Sequence, residues 1–323
     1  MFQSLYRRAV TALAIAALGG LGASGGALAA APMVKKSAPG FYRMMLGDFE
    51  ITALSDGTVE LPVNKILTNI LAGKVDSELA KQALKSPLET SVNAYLVNTG
   101  EKLVLIDTGA AKLFGPTLGN MLDNLKAAGY APEQVDEVYI THMHADHVGG
   151  LMAGDKPAFP NAIVRSDKKD ADFWLSKENL DKAPEAAKGF FQGAQASVNP
   201  YVALGKYKAF EGDTELVNGI KAVVTRGHTP GHAVYVIQSK GQKLVVLGDL
   251  MHVAAVQFAN PAVTIQFDGD AKNAALQRKK LYADAARSKF LIAANHVSFP
   301  GIGRVRPDGK GYVWLPVNYS VVK

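Results

Sequence analysis

The run Thr141-His142-Met143-His144-Ala145-Asp146-His147 constrains this chain more than any other feature, because it crowds four potential metal ligands behind a short apolar stretch. In extended backbone, side chains two residues apart share a face, so His142 and His144 can converge on one ion. Asp146 and His147 then point to a second. Gly149-Gly150 let the backbone turn tightly afterwards. All seven histidines lie beyond Thr141, and the chain has no cysteine. Any metal must be held by nitrogen and oxygen, which excludes cysteine-based zinc fingers and cysteine nucleophiles.

Three later segments carry side chains of the same kind. Gly227-His228-Thr229-Pro230-Gly231-His232 sets two histidines around a proline-glycine turn that opens a strand, and one of them should be a ligand. Leu247-Gly248-Asp249 ends an apolar strand with a carboxylate, a position from which oxygens can bridge two cations. Ala293-Ala294-Asn295-His296 again delivers a ligand-type side chain at an apolar strand end.

Around these motifs the pattern is one of strands followed by helices, occurring twice. Asn93 to Asn98 and Lys102 to Ile106 read as a hairpin through Thr99-Gly100-Glu101. A helix from Pro116 to Ala128 is stopped by Gly129, and Val135 to Thr141 is a strand. Ser166 is expected to cap a helix through Leu175, and a further helical stretch from Asp181 to Ala196 is interrupted by Pro184. The second half offers strands at Ile220 to Thr225, Ala233 to Gln238 and Lys243 to Leu247. These are followed by a helix at Asp270 to Arg287, a strand at Phe290 to Ala294 and a hairpin turning at Asp308-Gly309-Lys310-Gly311. Two such halves imply an α/β sandwich of two packed sheets with helices outside. At 323 residues and 48% hydrophobic content, with no repeat or low-complexity linker, residues 32–323 are expected to form one domain.

Residues 1–31 read separately. Arg7-Arg8 precede a small, apolar stretch from Ala9 to Leu28, and Ala27-Leu28-Ala29 or Ala29-Ala30-Ala31 offers a cleavage site, the pattern of a secretory leader. The arginine pair fits the twin-arginine route, and the expected destination is periplasmic or secreted. Five glycines interrupt the apolar stretch, and no later segment is long enough to span a bilayer. Without Arg7 and Arg8 the net charge falls from +6 to +4. No basic cluster points to nucleic acid.

The order His-x-His-x-Asp-His, Thr-Pro-Gly-His, Gly-Asp and a late histidine resembles the metallo-β-lactamase superfamily. The resemblance implies an αββα sandwich in which His142, His144 and His232 hold one divalent metal and Asp146, His147 and His296 the other. Asp249 bridges them, His228 is structural, and Asp107 braces the histidine loop. Zinc is the first expectation, and manganese, cobalt or iron also suit the ligand set. Within the superfamily the chain resembles methyl parathion hydrolases from about Leu46 to Val322, in Thr108-Gly109-Ala110-Ala111-Lys112-Leu113-Phe114-Gly115-Pro116, Phe159-Pro160-Asn161-Ala162 and Phe299-Pro300-Gly301-Ile302-Gly303. That likeness maps an aromatic substrate pocket onto Phe114, Trp174 and Phe190. His252 and Phe267 stand where those hydrolases carry leucine, and the Glu185-Ala186-Ala187 stretch is one residue short. Bulkier walls would narrow the pocket against a tetrahedral triester while admitting a flat lactone or aryl ester.

The activity this implies is hydrolysis of lactones or aryl esters by a hydroxide shared between two metals, with Asp146 and Asp249 serving the reaction and organophosphate triesters cleaved on the side. A dedicated methyl parathion-type phosphotriesterase, a β-lactamase and a non-catalytic periplasmic metal- or ligand-binding protein are the alternatives. The carboxylate at Asp249 disfavours the lactamase, and the complete ligand set disfavours mere binding. Small-molecule esters, lactones or triesters are the expected partners, and a homodimer is compatible with this reading.

Overall fold

Along the strand Leu88–Asn98, Ala94 and Leu96 enter one apolar cluster while Tyr95 and Val97 enter another, as the two-residue period of a strand requires. Its neighbour Leu103–Ile106 divides the same way, with Leu103 and Leu105 on one side and Val104 and Ile106 on the other. Both faces of this sheet are therefore covered. The computed structural model describes residues 31–322, so residues 1–30, nearly all of the expected leader, lie outside the described residues.

Residues 38–322 form two mixed sheets. The first has six strands in the order Phe41–Leu46, Phe49–Leu61, Leu88–Asn98, Leu103–Ile106, Glu137–Tyr139 and Ile163–Arg165, the last three parallel. The second has seven, running from Thr214–Val217 through Ile220–Val224, Ala233–Ser239, Gln242–Val246, Leu291–Ala293 and Ile302–Asp308 to Gly311–Pro316. Here only Gln242–Val246 and Leu291–Ala293 pair in parallel. Tyr95, Ile106 and Tyr139 of the first sheet meet Tyr235, Ile237 and Val246 of the second in a shared core. Tyr139 and Tyr235 stack across it with ring centroids 5.4 Å apart. On its outer side the first sheet packs against Met121–Ala127 and Glu185–Ala203, and the second against Ala271–Ser288. This is the αββα sandwich.

Several elements differ from expectation. The helix expected from Pro116 spans only Met121–Ala127, because Gly119 takes a left-handed turn and the buried carboxylate of Asp56 accepts the Met121 N–H at 3.0 Å. Asp167, not Ser166, caps Lys168–Trp174, accepting the Lys169 N–H at 2.9 Å, while the Ser166 hydroxyl bonds Tyr207. The long hairpin Phe41–Leu46 with Phe49–Leu61 was not anticipated. Its alternation breaks at a bulge between Ser55 and Gly57. Among the described residues no helix is long and apolar enough to cross a membrane.

Candidate metal centre

The parallel strands put the chemistry at one edge, since ligands in such sheets gather beyond carboxyl strand ends. Ile106 leads into Asp107, Tyr139 into the histidine loop, Val246 into Asp249 and Ala293 into His296. Two of these segments come from each sheet. Gly248 permits the approach: its φ is +54°, and a Cβ there would lie 2.6 Å from His232 Nε2.

Two clusters with no residue in common result, beside a third group in which Asp249 and His296 recur with His252. His142, His144, His228 and Asp249 converge in one, and Asp146, His147 and His296 in the other, with the ligand-type atoms of each within 4.8 Å of one another. Asp249 lies between them. Its Oδ2 is 3.2 Å from His228 Nε2 and 3.5 Å from His142 Nε2, while its Oδ1 is 3.0 Å from both His147 Nε2 and His296 Nε2. Asp146 Oδ2 closes the second cluster, 3.6 Å from His296 Nε2 and 3.8 Å from His147 Nε2.

Each imidazole is aimed from behind. Asp107 accepts from His147 Nδ1 at 2.8 Å and also from the Thr141 N–H, the Thr141 hydroxyl and Asn295 Nδ2. Asp268 holds His228 Nδ1 at 2.9 Å, and the Ser91 carbonyl holds His296 Nδ1 at 3.0 Å. With these nitrogens occupied, the Nε2 lone pairs face the centre, the usual way outer partners fix a metal-binding imidazole. Packing against Trp174 and Phe190 orients His144 instead, with ring centroids 5.3 and 5.4 Å away. Asp170, fully buried, accepts the Met143 N–H at 2.8 Å and the Gly231 N–H at 2.7 Å, tying the histidine loop to the proline-glycine turn. Burial pushes its carboxyl up to about 6, against hydrogen bonds from Thr229, Gly231 and Met143 that lower it.

The ligand expected from the turn is corrected. His232 has both nitrogens committed to protein, Nε2 accepting the Asp249 N–H at 3.0 Å and Nδ1 paired with the Thr225 hydroxyl at 2.9 Å. Burial and the nearby His228 pull it down to about 3, so it stays neutral under the site. The imidazole in the cluster is that of His228. The reason lies at Gly231, where a Cβ would stand 2.3 Å from the Asp170 nitrogen. This tight seat delivers the first histidine of the turn to the centre and the second to the base of the strand.

Of the residues expected at the substrate pocket, Phe114, Phe190, His252 and Phe267 line a small cavity of about 50 Å³ above Asp146, Asp249 and His296, with Val59 and Leu61 beside them. Trp174 does not join them. It lies in an adjoining chamber beyond His144, because Lys168–Trp174 packs it into the outer core beside Phe191. His252 does more than line the wall. Its Nε2 is 2.9 Å from Asp249 Oδ2, and its ring stacks on His296 at 5.4 Å and 11°. Sequence reading missed Asp170 and Asp268, which look like members of a charged helix face and a polar turn. No local spacing marks them.

The buried Nε2 atoms of His142 and His147 and Oδ1 of Asp249 make no hydrogen bond of acceptable geometry, even though Oδ1 stands 3.0 Å from His147 Nε2. Orphaned buried lone pairs are costly, and three that converge from two clusters fit divalent cations. Electrostatics agrees. Burial opposes the ionised Asp249, yet the surrounding histidines hold its carboxyl well below the usual range. Burial likewise opposes charge on His228 and His147. Asp249 and Asp268 nevertheless push His228 up to about 9, and Asp249, Asp146 and Asp107 raise His147 well above its ordinary value. The carboxylates at the centre demand positive charge.

Residues 88–289 match the metallo-beta-lactamase superfamily. The chain belongs to the metallo-beta-lactamase superfamily. An N-acyl homoserine lactonase from Bacillus sp is 27% identical over 212 residues, 60% of this chain and 76% of the relative. The crystal structure of hydrolase AbOPH in the beta lactamase superfamily superimposes with a TM-score of 0.84 at 39% identity, covering 88% of this chain and all of that one. AidC, a dizinc quorum-quenching lactonase solved with a product, gives a TM-score of 0.79 at 27% identity over 87% of this chain and 99% of its own. This superfamily member is accordingly a metallo-hydrolase.

Proposed function

We propose that this hydrolase is a two-metal lactonase, with zinc in both positions, acting on lactones and aryl esters and only secondarily on phosphotriesters. The carrying observation is Asp249, whose two oxygens belong to two adjoining histidine clusters. The lactonase names of the relatives and the dizinc lactonase among the solved structures support the same reading. Two divalent cations held there would polarise an ester carbonyl and lower the pKa of water at the site.

The protein's own side chains supply the rest. Phe114, Phe190 and Phe267 keep water from the reacting ester and so strengthen every charge interaction beneath it. His252 pairs with Oδ2 of Asp249 and helps to fix that carboxylate in place. Asp146 is the ligand side chain nearest solvent, 16% exposed, and would be the one to assist a departing oxygen. A cavity of about 50 Å³ suits a planar ester better than a tetrahedral phosphorus with its substituents.

The test is metal analysis together with kcat/KM for an N-acyl amino-lactone, an aryl ester, methyl parathion and a cephalosporin. Two ions per chain and a clear preference for the lactone are expected. One ion in a fully active enzyme, or a dominant triesterase activity, would overturn the reading. Export through the leader belongs to the same proposal. Mass spectrometry of native protein should find a start near Ala30 or Pro32, and an intact Met1 confined to cytosol would refute it.

A further inference from the structure

A single buried cation joins the two stretches of chain on which the buried cluster depends. Arg278 is fully enclosed on the helix Ala271–Ser288, and an enclosed charge is costly unless hydrogen bonds satisfy it. Its Nε donates to the carbonyl of Leu250, the residue after Asp249. Its Nη1 donates to the carbonyls of Pro261 at 3.2 Å and Val263 at 2.6 Å, while Nη2 has no partner. A well-packed apolar side chain is often as stabilising in such a place, so stability alone does not account for the arginine.

The carbonyls it holds lie at the roots of the centre. Leu250 ends the short turn Gly248–Leu250 that presents Asp249. Val263 precedes the strand Thr264–Ile265 and leads to Asp268, whose Oδ2 accepts the Ile265 N–H at 3.1 Å while Oδ1 holds His228. Gln257 supports the same place from the other side. Its Nε2 donates to the Val263 carbonyl at 3.1 Å, and its Oε1 accepts the N–H groups of His252 at 2.8 Å and Val253 at 3.0 Å. The start of the helix is itself fixed to the turn that carries His228. The Gly269 N–H donates to the His228 carbonyl at 2.9 Å and the Asp270 N–H to that of Gly227 at 2.7 Å, and a Cβ on Gly227 would stand 2.3 Å from the Ala274 nitrogen. A rigid guanidinium fork anchored on that helix therefore sets the spacing between Asp249 and the brace of His228.

We propose that Arg278 is a positioning residue for the buried metal cluster, holding Asp249 and the Asp268–His228 pair at the separation that one ion requires. It acts through the Leu250 and Val263 carbonyls. The inference rests on the two-metal reading and adds a residue that favours one ion over the other. His228 and its brace serve only the buried cluster, whereas His147 and His296 are held by Asp107 and the Ser91 carbonyl.

The test follows transfer of cobalt from metal-loaded full-length protein to a competing chelator, and the step missing from His228→Ala marks the buried cluster. Arg278→Met should weaken that step about 10- to 100-fold, the loss typical of an outer partner, and leave the other step little changed. Arg278→Lys keeps the charge without the planar fork and should lose less. Asp268→Asn cuts the same link further along, so adding Arg278→Lys to it should weaken the buried step no further. Equal weakening of both steps, no change in either, or additive losses in the double variant would overturn the proposal. Failure of both Arg278 variants to fold would overturn it too, by making the arginine a staple of the core. If the wild type holds a single ion, the two-metal reading fails and the proposal is decided on that ion. Non-additive losses in Arg278→Lys and Asp268→Asn then support it, and additive or absent losses overturn it.

Discussion

The two metal clusters share Asp249 yet sit in different surroundings. His142, His144, His228 and Asp249 are all buried, whereas the second cluster opens through Asp146, which is only partly covered. The first touches the large chamber through His144 and His228, and the second contributes Asp146 and His296 to the small cavity where the ester would react. Their braces differ as well. His147 is held by Asp107 inside a four-bond network, while His228 depends on Asp268 from a distant loop. The two clusters thus differ in cover, with every side chain of one buried and the other partly open through Asp146, while both border a cavity.

The largest expected effect comes from removing what the clusters share. Asp249→Ala should reduce two ions to one or none and lower kcat/KM by more than the roughly 10- to 100-fold typical of losing an outer partner. Elemental analysis beside steady-state kinetics checks this, and retention of both ions would show that the clusters are independent.

Next comes a comparison within the proline-glycine turn. His228→Ala should empty the buried cluster while the second keeps its ion. His232→Ala should leave both ions in place and cost about 1 to 3 kcal/mol of stability, because the Asp249 N–H and the Thr225 hydroxyl lose their buried partner. Metal counts and thermal or denaturant unfolding separate the two variants. The opposite pattern would return the ligand role to His232.

The smallest effect concerns the open side. Replacing His252 and Phe267 together with leucine removes polar and bulky wall from the small cavity, so triester kcat/KM should rise relative to the lactone value by about tenfold. His252 also braces Asp249, so the metal content of the double variant must be measured beside the rates. If substrate preference does not move while both ions stay bound, these residues do not set specificity.

Local sequence was enough for the αββα class and marked most of the side chains that the structure brings together. Tight local spacing in His142 to His147 survives any arrangement of the rest of the chain, and apolar strands ending in Asp249 and His296 mark where side chains leave a sheet. The apolar run Ala94 to Val97 reads as a strand, and the structure covers it on both faces. The choice between side chains that look alike locally was left to packing. His228 and His232 stand on either side of the same turn, and the packing of Gly231 against Asp170 selects which one faces the ions. Trp174 is aromatic and near His144, yet its helix directs it into another chamber. Asp170 reaches Met143 and Gly231, and Asp268 reaches His228, across large sequence separations. Side-chain direction and long-range pairing depend on how the two sheets and their helices close, and no local window of sequence carries that information.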